Sequence, residues 1–112
     1  MRLITAVAVA VGALSIGVSA AQDKAQIERG EKVYVAQKCS LCHSIAGKGN
    51  AKGALDGVGS KLTSEAIHEW LVAPVEAAKK ANATRKPPMK AYASLPKEDL
   101  DALVAYMASL KK

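Results

Sequence analysis

Both cysteines of this 112-residue chain fall in one five-residue stretch, Cys39-Ser40-Leu41-Cys42-His43. No other feature constrains the fold as strongly. Two cysteines in an exported protein are ordinarily read as a disulfide, and C-x-x-C alone also fits a redox dithiol or half of a zinc site. The histidine in the next position adds a further reading, in which the two thiols add to the vinyl groups of a porphyrin as thioethers and the imidazole reaches the iron from one side. One helical turn places both sulfurs along one edge of such a ring with the histidine beneath it. Zinc requires two more ligands at finger-like spacing, and the other histidine, His68, lies 25 residues on. A thioredoxin-like dithiol sits at the end of a strand in a βαβ unit, and no β-branched alternation precedes Cys39. Attachment of one haem c, with its iron, is the leading reading; a disulfide and a dithiol are its rivals.

Export rests on the first twenty residues. Met1 and Arg2 form a short basic start, Leu3 to Val18 is an Ala/Val/Leu/Ile run, and Val18-Ser19-Ala20 before Ala21-Gln22 is an A-x-A-like cleavage site. The pattern predicts a signal peptide over residues 1–20, cut after Ala20 or Ala21, and a periplasmic location. The alternative is an uncleaved anchor, since the 19 residues from Leu3 to Ala21 could just span a bilayer. Gly12, Gly17, the Ala-rich run and the lack of a charged flank before Asp23 favour cleavage.

What remains, residues 22–112, reads as a single domain with no membrane span. It has 23 large apolar side chains, of which only Tyr34, Trp70, Tyr92 and Tyr106 are aromatic; 22 of the apolar residues in the whole chain are Ala. A core so thin ordinarily requires a staple. The composition excludes a multidomain enzyme, a multi-span membrane protein and a long coiled coil, and it implies that a group other than side chains fills the interior.

A second iron ligand must come from elsewhere in the chain. Met107 continues the helical stripe Leu100, Leu103, Val104 and reads as core. Met89 follows Lys86-Pro87-Pro88, where two prolines hold the chain extended, in a segment without helical periodicity. A thioether on a stiff strap is well placed to be held against a metal. Between His43 and Lys61, Gly47, Gly49, Gly53, Gly57 and Gly59 fit no phosphate-binding pattern and read as backbone wrapping closely around a flat group. One carbonyl of this loop, in the region of Gly53-Ala54, should accept the Nδ1 proton of His43 and fix the ring.

Helices are predicted over Ala25–Lys38, with Ile27, Gly30 and Tyr34 on one stripe; from Thr63 or Ser64 to Pro74, with Ile67, Trp70 and Leu71 inward; and at the end, with Pro96 near the first position, Glu98 and Asp99 in the first turn, and Lys111 and Lys112 at the close. His68, flanked by Glu65 and Glu69, reads as a solvated surface histidine.

Taken in order, Gly30-Glu31-Lys32-Val33-Tyr34, Cys39-x-x-Cys42-His43, Leu55-Asp56-Gly57-Val58-Gly59, Ile67-His68-Glu69-Trp70-Leu71, Pro87-Pro88-Met89 and Leu103-Val104-Ala105-Tyr106 resemble the class I mono-haem cytochromes c, especially the short periplasmic ones of bacteria. The resemblance runs from about Ile27 to Lys111. It implies an all-α fold of three to five helices wrapped around one covalently bound haem, the terminal helices crossing so that Gly30 and Tyr34 face Leu103 and Tyr106. It implies axial ligation by His43 and Met89 and a haem pocket drawing on Leu55, Ile67, Trp70, Leu71 and Tyr92. The function implied is electron carriage between donor and acceptor proteins by a monomer, without catalytic residues. A five-coordinate haem sensor, a small peroxidase-like protein, and a haem subunit of a larger oxidoreductase are the alternatives.

Without Arg2 the chain carries 15 Lys and Arg against 10 Asp and Glu. Lys79, Lys80, Arg85, Lys86 and Lys90 bracket the proposed methionine strap, a patch suited to steering an acidic partner. Nucleic acid is not expected, because no aromatics interleave the basic residues of an exported chain.

Overall fold

A computed structural model describes Gly12 and residues 20–112; the leader expected over residues 1–20 lies outside the described residues, Gly12 and Ala20 excepted. The chain runs α1 (Ala20–Ala36), a 3-10 turn (Cys39–Leu41), a two-residue hairpin of β1 (Ser44–Ile45) and β2 (Lys48–Gly49), a second 3-10 turn (Ala51–Gly53), then α2 (Val58–Lys61), α3 (Ser64–Val72), α4 (Pro74–Ala81) and α5 (Lys97–Ser109). The all-α expectation holds, with the hairpin as the only ladder among the described residues. Among these residues no helix is long and apolar enough to cross a membrane.

The most extensive packing joins α1 to α5. Gly30 is the point of closest approach: a Cβ there would run into the Ala102 carbonyl and lie 2.6 Å from Tyr106 Cβ. One turn on, Tyr34 meets Tyr106 edge-to-face, with ring centroids 5.9 Å apart and planes at 73°. Arg29 spans the same crossing to Asp99 at 2.8 Å and Glu98 at 3.2 Å, in exposed pairs that add little to stability. The buried core consists of Val33, Tyr34, Ile67, Leu71, Leu100, Leu103 and Met107. Met107 is therefore the core residue its periodicity predicts.

Two boundaries differ from the sequence reading. α1 begins at Ala20 rather than Ala25 and ends at Ala36, because Lys38 takes a left-handed conformation (φ 56°) that redirects the chain into the cysteine turn. The middle helix begins as predicted, with Thr63 Oγ1 accepting from Ala66 N–H at 3.1 Å. It does stop before Pro74, but that proline then opens α4, where its missing N–H costs nothing. Trp70 is half-buried and is not among the side chains packed on the core, whereas Ile67 and Leu71 of the same helix are buried.

The Tyr34 hydroxyl is buried without a hydrogen-bond partner among the described residues. Burial pushes its phenol up to about 12, with smaller contributions from Cys39, Tyr106 and Asp56. An unfolded tyrosine ionises near 10, so between these values the unfolded chain releases a proton that the folded chain keeps, and stability falls as pH rises through that window. Tyr34→Phe should raise stability at neutral pH by about 1–2 kcal/mol and flatten this alkaline loss. Urea midpoints followed by circular dichroism at pH 8 and pH 11 measure both effects; a variant less stable than the parent at both would show that the hydroxyl is satisfied.

Candidate functional site

The turn after α1 gathers the whole motif. Cys42 N–H donates to the Cys39 carbonyl at 3.1 Å and His43 N–H to the same oxygen at 3.0 Å, so the two thiols and the imidazole project from one tight turn. The thiols are not joined. Cys39 is half-buried and packs on the core, while Cys42 is exposed, as is its neighbour Leu41. Burial pushes the Cys39 thiol up to about 11, a smaller lowering from its own backbone N–H notwithstanding. A redox dithiol needs an attacking cysteine moved in the opposite direction, which Cys39 does not supply. It does suit two thiols bonded to a neighbouring apolar group, one at its buried edge and one at its exposed edge.

His43 is half-buried, and its Nδ1 donates to the Gly53 carbonyl at 2.9 Å. Sequence reasoning located this acceptor only to a region; the structure assigns it to Gly53. Burial draws the imidazole below its usual range, the Gly53 carbonyl opposes that, and Arg85 adds to the lowering. A neutral ring whose Nδ1–H is given to a carbonyl has its Nε2 lone pair available for a metal.

Asn50, which the sequence did not single out, holds the loop in place. Its backbone N–H donates to the carbonyls of Ser40 (3.1 Å) and His43 (2.9 Å). Its side chain donates from Nδ2 to Leu41 O at 3.2 Å and accepts from Lys52 N–H at 3.0 Å, capping the turn that ends at Gly53. The hairpin between them closes through Ala46 (φ 51°) and Gly47 (φ 78°), a two-residue turn with both residues left-handed, while Asp56 accepts from Ala46 N–H at 2.8 Å. The glycines of this loop thus serve turns and close contacts with protein, not the wrapping of a flat group alone as the sequence reading has it.

The Met89 strap comes to the same cluster. Met89 and Tyr92 are half-buried and pack on the core together with Cys39 and Leu55, beside buried Ile67 and Leu71. Tyr92 N–H donates to the Leu71 carbonyl at 2.7 Å, tying strap to α3. Sequence-distant Cys39, Leu55, Met89 and Tyr92 therefore pack on the cluster that contains Ile67 and Leu71, and Cys42 and His43 follow Cys39 in the same turn. A haem fits this donor set: two free thiols three positions apart, an imidazole turned by its carbonyl, and a thioether on the same core.

Four of the five basic candidates each have an identified neighbour. Lys80 pairs with Glu69 at 2.7 Å and Lys79 with Glu76 at 3.8 Å, Arg85 turns toward Gly53, and Lys90 lies 5.8 Å from the Tyr92 ring centroid. The charge distribution is nevertheless one-sided: no Asp or Glu occurs in residues 32–55 or 77–97, the two segments that build the site. His68 is exposed, in a shallow depression of about 320 Å³ with Ser64, Glu65, Asp101 and Val104.

Comparison with known proteins bears on the family. The family model of cytochrome c matches residues 27–111. The chain is also similar to cytochrome c oxidase subunit 2 of Alkalihalophilus pseudofirmus, 30% identical over 92 residues, a match covering 74% of this chain and 25% of that protein. It thus spans about a quarter of the length of the curated relative it matches. No solved structure shows a significant match.

Proposed function

The chain belongs to the cytochrome c family, and on that premise we propose that it is a periplasmic one-electron carrier, its haem c bonded through Cys39 and Cys42 and ligated by His43 and Met89. Membership makes it a haem c protein of electron transfer; the ligand pair, the location and the shuttle role are our reading. The observation that carries it is the His43–Gly53 hydrogen bond, which prepares an imidazole for iron beside two unjoined thiols.

Haem supplies the one-electron couple, and a methionine ligand raises its potential. The chain's own residues do the rest. Gly53 fixes the His43 ring and raises its basicity as a ligand. The prolines before Met89 and the Tyr92–Leu71 hydrogen bond hold the strap, which limits rearrangement between oxidation states. Leu55, Ile67, Leu71 and Tyr92 keep water from the interior, and the acid-free segments 32–55 and 77–97 present Lys86 and Lys90 to an acidic redox partner.

A reduced-minus-oxidised spectrum with the pyridine haemochrome tests the cofactor. The parent should be low-spin, with a weak ferric band near the red end arising from methionine. Met89→Ala should abolish that band and admit carbon monoxide; an unchanged spectrum rules Met89 out. A parent that is already high-spin and binds carbon monoxide readily would instead be a sensor or a peroxidase-like protein. The similarity to part of an oxidase subunit favours, as the second reading, a haem module working within a larger oxidoreductase, for which stable co-purification is the test.

A further inference from the structure

Arg85 stands four residues before Met89, among the cations expected to face a partner. Its guanidinium reaches instead to the cysteine–histidine loop. A Cβ on Gly53 would run into both Arg85 Nη1 and the Cys42 carbonyl oxygen and would lie 3.0 Å from His43 Nδ1. Groups from three segments thus converge on one small space, which exists because residue 53 has no side chain. The carbonyl of that same glycine receives the His43 proton. Among the described residues none of the ion pairs includes Arg85, and neither adjoining segment contains a carboxylate. The charge therefore faces the imidazole without a counter-ion from the strap or the loop.

We infer that Arg85 is a positioning residue of the electron-transfer centre: it seats the strap against the Gly53–His43 hydrogen bond and places a fixed positive charge on the histidine side, which raises the reduction potential. When a donor's electron converts ferric to ferrous iron, the centre loses one unit of positive charge. A nearby cation favours that product, here from the exposed side chain of Arg85 beside half-buried His43. The inference rests on His43 being the iron ligand.

Potentiometric titration of the holoprotein tests it. At fixed ambient potential, Arg85→Gln should raise the ferric-to-ferrous ratio about tenfold, equivalent to about 59 mV for a one-electron couple. Arg85→Lys should restore most of the parent ratio. Lys24→Gln removes the same charge near the far end of α1, on the order of 20 Å from the cysteine turn, and should move the ratio far less. Arg85→Met removes the same charge from an unbranched side chain, so it should shift the ratio in the same direction as Arg85→Gln, and it serves if that variant does not accumulate. An Arg85→Gln shift no larger than that of Lys24→Gln overturns the inference. So does an Arg85→Lys shift as large as that of Arg85→Gln, which would trace the effect to packing rather than charge. His43 ligation is checked separately by His43→Ala, which should lose the low-spin spectrum, so a failed charge effect and a failed ligand assignment are told apart.

Discussion

A single methyl group added at Gly30 is expected to lower the stability of the holoprotein by about 3 kcal/mol, the upper end of what overpacking ordinarily costs. On an open helix the same change would be favourable, since alanine outranks glycine by about 1 kcal/mol in a helix interior. Here the new Cβ meets the Ala102 carbonyl and Tyr106 Cβ on α5. These are backbone and near-backbone atoms, which cannot rotate aside as the end of a flexible side chain can. Relief requires α1 and α5 to separate, and that separation loosens the Tyr34–Tyr106 contact and the burial of Leu103 together. Denaturant midpoints of the parent, Gly30→Ala and the exposed control Val35→Ala decide the matter. The control should stay within about 0.5 kcal/mol of the parent. A Gly30→Ala protein more stable than the parent would mean that helix propensity governs this position and that the two helices do not approach as described.

The second large effect concerns both thiols. Cys39→Ala combined with Cys42→Ala should give a chain that retains no covalent haem and is largely unfolded. Among the described residues only Leu103, at 1% exposure, is a large side chain that is essentially fully buried, and two of the nine buried hydrophobics are Ala77 and Ala102. Such a core returns little of the conformational entropy that ordering some ninety residues costs. Far-UV circular dichroism of the double variant should show most of the helix lost, with no sigmoidal melting. A cooperative transition in the haem-free chain would show that side chains alone suffice. The single variants should differ: losing Cys39, which packs on the core, should destabilise more than losing exposed Cys42.

How much of this was legible beforehand depends on whether the cause was local. The Cys39–His43 turn, the Thr63 cap and the core role of Met107 follow from motifs a few residues long, and each was readable. Gly30 was readable as a glycine needing a neighbour, because an unfavourable residue in a helix calls for a tertiary reason. The hairpin at Ser44–Gly49 was not, since strands of two residues leave no alternation to detect. Pro74 reads from sequence as a stop and not also as a start, although the same missing N–H permits both. The neighbours of Arg85 and Asn50, Gly53 and the carbonyls of residues 40–43, are not legible in the sequence, because they are fixed by how loops meet rather than by any period in the chain.

The crossing of α1 and α5 also bears on the order in which the protein can be made. Arg29 and Asp99 are 70 positions apart, so the largest interface joins segments from opposite ends of the domain. Closing so long a loop comes late and slowly compared with forming local turns. A chain emerging N-terminus first can complete the cysteine turn and its loop early, but α1 lacks its main partner until the residues around Tyr106 have appeared. Haem attachment at Cys39 and Cys42 can thus take place on an open chain, and the last helix closes the structure over what has already been bonded.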